Sequence, residues 1–68
     1  MTYSDKVESI RKIVIVFFNK TGRWPTPLEV LDYAVLSHHV KRDTARAYVE
    51  EAVSRGRIKH ANGAMEAT

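Results

Sequence analysis

The sequence contains no cysteine, so no disulfide can staple the chain and no thiolate can act as metal ligand or nucleophile. Long apolar runs are also missing. The longest, Ile13 to Phe18, is far short of the ~20 residues that span a bilayer, so no membrane partner is expected. The opening Thr2-Tyr3-Ser4-Asp5 has no basic segment leading into an apolar stretch, which argues against a signal peptide and makes the cytoplasm the expected location. Glycine and proline are scarce, with three and two residues, and neither an internal repeat nor a low-complexity tract is present. A chain of 68 residues allows one domain, and such a domain buries only roughly 60% of its unfolded surface. Without staples, the core must come from close helix packing or from self-association.

What the sequence does hold is a folding composition with a mild basic excess. Hydrophobic residues make up 44%, and 11 basic residues stand against 8 acidic ones. The net charge of +3 permits a polyanionic partner without requiring one. The excess is uneven. Residues 38–60 carry Lys41, Arg42, Arg46, Arg55, Arg57 and Lys59 against three acids, together with all three histidines.

The sparse punctuation at Gly22, Pro25, Pro27, Gly56 and Gly63 divides the chain into three helical stretches and a short tail. Tyr3, Val7, Ile10, Val14, Phe17 and Phe18 recur at spacings of three and four, which predicts a helix over about 4–20 capped by Ser4 or Thr2. The β-branched run from Ile13 would suit a strand, but the helical periodicity begins earlier and no turn signal interrupts it. This helix leaves Ile15 and Val16 off the core face, where they are candidates for a homodimer contact. Thr26-Pro27-Leu28-Glu29 reads as an N-cap, a proline at the first helical position and a glutamate closing a capping box. The second helix then spans about 27–36, with Leu28, Val30, Leu31, Ala34 and Val35 apolar around most of its circumference. Ala45, Tyr48, Val49, Ala52 and Val53 form the most regular amphipathic pattern, predicting a third helix over about 41–55 that stops at Gly56. Trp24 reads as a packing residue beside Pro25, with a stacking platform for nucleic acid as the alternative.

Asn62-Gly63 between two short extended runs is a strong hairpin signal. A two-residue turn there sets Ala61 opposite Ala64, His60 opposite Met65 and Lys59 opposite Glu66, in a hairpin over about 57–67. The fold class expected is therefore mainly α: a three-helix, helix-turn-helix bundle with a short C-terminal β-hairpin wing.

This layout is that of a winged helix-turn-helix. The segment Gly22-x-Trp24-Pro25-Thr26-x-x-Glu29-Val30 resembles the opening of the second helix in the DNA-binding domain of LexA-type repressors. Val40-x-Arg42-Asp43-Thr44-Ala45-Arg46-x-Tyr48-Val49, followed by Gly56-x-Ile58, is similar to recognition helices of small bacterial and phage winged-helix regulators. The link around Leu36-Ser37-His38-His39-Val40 is longer than in the LexA type and lacks the common turn glycine. The resemblance implies duplex DNA binding, usually as a homodimer on a palindrome, and hence a small transcription regulator of repressor kind, of phage or mobile-element type.

The residues support a division of labour on their own terms. Facing away from the apolar stripe of the third helix are Asp43, Thr44, Arg46 and Ala47, with Arg42 on the flank. Arginine suits guanine edges, threonine a phosphate or a thymine methyl, and alanine permits close approach, so these five are the candidates for base readout. Phosphate or wing contacts are expected from Thr26, through free amides at the start of the second helix, from Ser37, His38, His39 and Lys41 in the turn, and from Arg57, Lys59 and Asn62 on the wing. The alternative is an ordinary solvated face with pairs such as Arg46 with Glu50, in a module that docks protein or RNA instead. No catalytic set is visible. His38 and His39 diverge on a helix and lack a completing ligand, Glu50 and Glu51 point apart, and no glycine-rich phosphate loop is present. Neither a metal, a cofactor, a small-molecule ligand nor an enzymatic activity is therefore expected.

Overall fold

The computed structural model describes residues 2–68. Helix α1 spans Tyr3–Thr21, α2 Pro27–His38 and α3 Arg42–Ser54, and an antiparallel hairpin of β1, Ile58–Ala61, and β2, Ala64–Ala67, follows. The chain is mainly helical with a two-stranded hairpin after the last helix, as its patterning predicts.

Each boundary has a local cause. Thr2 caps α1 in a box with Asp5, so Ser4 is already inside the helix. Gly22, at φ +78°, ends α1 in the left-handed region, with its N–H donating to the Phe18 carbonyl at 2.8 Å. At α2 the Thr26 hydroxyl accepts from the Glu29 N–H while the Glu29 carboxylate accepts from the Thr26 N–H. α3 closes with a double lock in which the Gly56 N–H donates to Val53 and the Arg57 N–H to Ala52, with Gly56 at φ +74°.

The core gathers one stripe from each helix and one side of the hairpin. Val7, Ile10 and Val14 of α1, Val30, Leu31 and Ala34 of α2, and Ala45, Tyr48, Val49 and Ala52 of α3 are buried together with Ile58 and Met65. Ala34, Ala45 and Ala52 are fully buried, and their small side chains let the helix axes approach closely. The hairpin register matches the alternation: Ile58 pairs with Ala67, Lys59 with Glu66, His60 with Met65 and Ala61 with Ala64. Asn62 (φ +52°) and Gly63 (φ +78°) both adopt left-handed conformations, as a two-residue primed turn demands. The Met65 N–H donates to the Pro25 carbonyl at 2.7 Å, which ties the second strand to the segment before α2.

Several expectations need correction. Helix α2 continues to His38, two residues beyond Leu36, because His39 takes a left-handed conformation (φ +53°) at the position where a glycine would commonly stand. The extra length of the α2–α3 link is thereby absorbed into helix. Leu28 is 61% exposed, so the apolar circumference of α2 is not fully wedged. Tyr3 overhangs the first turn of α1 and lies outside the core, edge-on to Tyr48 at 5.6 Å. Phe18 is half-buried and stacks on Trp24, with ring centroids 4.1 Å apart, which gives the indole a packing partner within the chain.

Candidate nucleic-acid interface

The exposed arc of α3 is set by its buried one. With Ala45, Tyr48, Val49 and Ala52 locked inward, the helical period turns Arg42, Asp43, Thr44, Arg46 and Ala47 to solvent, and all five are exposed. Their electrostatic states differ. Arg42 donates to Asp32 of α2 at 2.7 Å, a contact that bridges the two helices. Both side chains are about half exposed, so the pair is worth roughly 0–1 kcal/mol and can exchange for another anion. Among the described residues Arg46 has no carboxylate within 4.0 Å. The other five arginines, Arg11, Arg23, Arg42, Arg55 and Arg57, each have one. The intrahelical Arg46–Glu50 pair is not formed among the described residues.

The two helix starts next to this arc are unlike each other. At α2 the expected anion site near Thr26 is already filled from within. Glu29 occupies the Thr26 amide, Pro27 has no N–H, and the Glu29 carboxylate is gripped by both terminal nitrogens of Arg23 at 3.0 Å. The Arg23 contact, followed by the Thr26 amide, holds the Glu29 carboxyl down at a pKa of about 2. A phosphate there would have to displace a committed anion, and Thr26 acts as the N-cap that the sequence predicts. At α3 the N-cap is Lys41, which makes no side-chain cap, so the first-turn amides lack a side-chain acceptor beside two exposed cations, Lys41 and Arg42, and one exposed acid, Asp43.

The remaining expected contacts divide in the same way. Ser37 is exposed but belongs to the last turn of α2, and the link proper is His39, Val40 and Lys41, with His39 and Lys41 exposed. His38 is half-buried and packs against both α1 and α3. Its Nε2 lies 2.5 Å from the Ser9 hydroxyl of α1, and its ring meets Tyr48 of α3 edge-on at 5.6 Å. The Ser9 hydroxyl is placed to donate to the Lys6 carbonyl, and with the proton on Nε2 the His38 ring donates to that hydroxyl in turn. Burial, assisted by the Lys6 charge, lowers the His38 pKa and keeps the ring neutral. Arg57 also has a partner within the chain. It precedes β1 instead of riding on the hairpin, and its guanidinium turns back to Glu8 of α1 at 3.4 Å. Lys59 and Asn62 do project from the hairpin, and Lys59 faces Glu66 across the strands without an ion pair within 4.0 Å.

Two residues near the arc, His60 and Asp32, escape sequence reasoning. Arg46 edges a shallow groove of about 300 Å³ between the start of α2, α3 and the hairpin, and Leu28, Glu50 and His60 line it with Met65 as part of its floor. His60 reaches this groove only because the hairpin folds back beside α3. Its alternation with Ile58 was the one available signal. Asp32, the partner of Arg42, is ten residues away in sequence and gave no signal. Val16 is 51% exposed and Ile15 half-buried on α1, outside the α3 arc. Among the described residues no group of three histidine or carboxylate side chains is placed to hold a metal, and no helix is long and apolar enough to cross a membrane. No family model, curated protein or solved structure matches the chain.

Proposed function

We propose that this chain binds double-stranded DNA as a small winged-helix module and acts as a transcription regulator. In this reading the N-terminal half of α3 enters the major groove. Arg46 addresses a guanine edge, Thr44 and Ala47 line the approach, and Arg42 exchanges Asp32 for a base or a phosphate. The uncapped amides of the first turn of α3, with Lys41, would take one phosphate, and Lys59 and Asn62 on the hairpin would take others. Glu50, one turn beyond Arg46, would keep the C-terminal half of α3 away from the backbone. The observation that carries the reading is Arg46: an exposed guanidinium, without a carboxylate partner among the described residues, on a helix whose opposite side is immobilised by buried Ala45, Tyr48, Val49 and Ala52.

The test is fluorescence anisotropy with labelled duplexes of random and selected sequence at several salt concentrations. Lys59→Ala should weaken binding to all duplexes alike and reduce the salt slope by about one. Arg46→Ala should cost about 1–3 kcal/mol on a selected site and relax preference at one base pair. Absence of binding to any duplex at low salt, or equal losses on random and selected DNA for both variants, would overturn the reading.

A further inference from the structure

We infer that the α1–α2 face binds an amphipathic helix of another protein, one that presents apolar anchors flanked by acidic side chains. On the outer edge of α1 and α2 lies an apolar strip in which Val16 is 51%, Tyr33 47% and Leu36 69% exposed. Ile13, Val16, Phe17 and Tyr33 surround a notch of about 80 Å³ within it. A cavity of ~150 Å³ accepts a benzene ring, so this notch suits one inserted aliphatic side chain. Parallel ridges of two helices with an apolar seam are the usual bed for a third.

The charges around the strip choose the occupant. Lys12, Val16 and Lys20 are spaced four apart and lie along one edge of α1. Both lysines are exposed, and neither has a carboxylate within 4.0 Å among the described residues. The acids of the neighbouring α2 surface, Glu29 and Asp32, are already bound to Arg23 and Arg42. The rim is therefore positive without internal compensation, and acidic side chains complement it. A second copy of this chain does not. A two-fold axis normal to α1 at Val16 would set Lys12 of one copy against Lys20 of the other. An axis along α1 would set each lysine against its own equivalent. Either packing confronts like charges, so the homodimer contact expected at Ile15 and Val16 is the weaker use of this face. The strip belongs to α1 and α2 and contains none of the α3 arc, so this inference shares only the Asp32–Arg42 pair with the DNA reading.

The probe is a synthetic helical peptide of about four turns with leucines at i, i+3 and i+7 and glutamates on its flanks. Its twin carries lysines in place of the glutamates. Binding to the full chain is followed by peptide anisotropy and by amide shifts of the protein. The glutamate peptide should bind at least about tenfold more tightly than its twin at low salt, with shifts centred on Ile13, Val16, Tyr33 and Leu36. Lys12→Glu with Lys20→Glu should reverse the preference. Val16→Glu should abolish binding of the glutamate peptide while far-UV circular dichroism and duplex binding stay unchanged. Equal or absent binding of the two peptides would overturn the inference. So would a wild-type dimer in sedimentation that Val16→Glu dissociates, since that outcome assigns the face to a second copy.

Discussion

The hairpin is part of the core, and Met65→Ala measures how much. Met65 is fully buried, at 0% exposure, and packs with Ile58 beneath the helices. The substitution removes the Cγ, Sδ and Cε atoms and leaves the backbone N–H bond to Pro25 in place. Three groups at about 0.8 kcal/mol each give a transfer loss near 2.4 kcal/mol. A cavity term brings the expected cost to about 3 kcal/mol, within the range of ~2–5 kcal/mol for buried methionine truncations. A domain of this length has roughly 3–10 kcal/mol in total, so the variant should lose a large share of its stability. The melting temperature should fall by about 12–24 °C. Urea titration followed by far-UV circular dichroism and by Trp24 fluorescence measures both quantities. The two probes should report one transition, with the urea slope unchanged, because Trp24 and the helices share the same core. Lys59→Ala on the opposite side of the hairpin should stay within about 0.5 kcal/mol of wild type. A loss below about 1 kcal/mol for Met65→Ala, or a separate early transition, would mean that the hairpin opens on its own and that the core is completed by the helices alone.

Two further predictions concern pH, and both make the protein less stable in acid, in different windows. The Glu29 carboxyl is held down at about 2 by Arg23 and the Thr26 amide, below its ordinary value of 4.5. Its contribution is complete above pH 4.5 and is lost as pH falls through that value towards 2, because the unfolded chain takes up the proton first. Glu29→Gln should flatten the stability profile in that window, as seen by urea titrations at successive pH values. The His38 pKa is lowered from 6.5 by burial and then by Lys6, so folding favours the neutral ring. Its contribution is complete above pH 6.5 and declines as pH drops below it. His38→Gln, which retains a donor for Ser9, should remove the decline in that upper window while leaving the Glu29 window intact. A proton resonance of the His38 ring that titrates at or above 6.5 would refute the assignment.

Much of the fold was legible because its determinants are local. Capping boxes, helical periodicity and an Asn-Gly turn are written within a few residues of where they act. The helix α2 box at Thr26–Glu29 and the hairpin register therefore appear in the structure as the patterning predicts. The exposed arc of α3 was legible for the same reason, since a regular buried stripe implies its complement. What was not legible depends on which charges meet across elements. Arg57 and Glu8 are far apart in the chain, as are Arg42 and Asp32, and no spacing rule connects them. The length of α2 was missed because a non-glycine residue, His39, took the left-handed position.

Residue order thus accounts for the three helices, their inward faces and the turn at Asn62-Gly63, all of which follow from backbone periodicity and short-range hydrogen bonding. Packing alone settled the fate of the polar side chains. It retired His38 into a contact with Ser9 and Tyr48, paired Arg42 with Asp32 and Arg57 with Glu8, and left Arg46 as the arginine without a carboxylate within 4.0 Å among the described residues. The reason is that a salt bridge or a desolvated ring depends on distance in space, and distance in space is a product of how the helices dock.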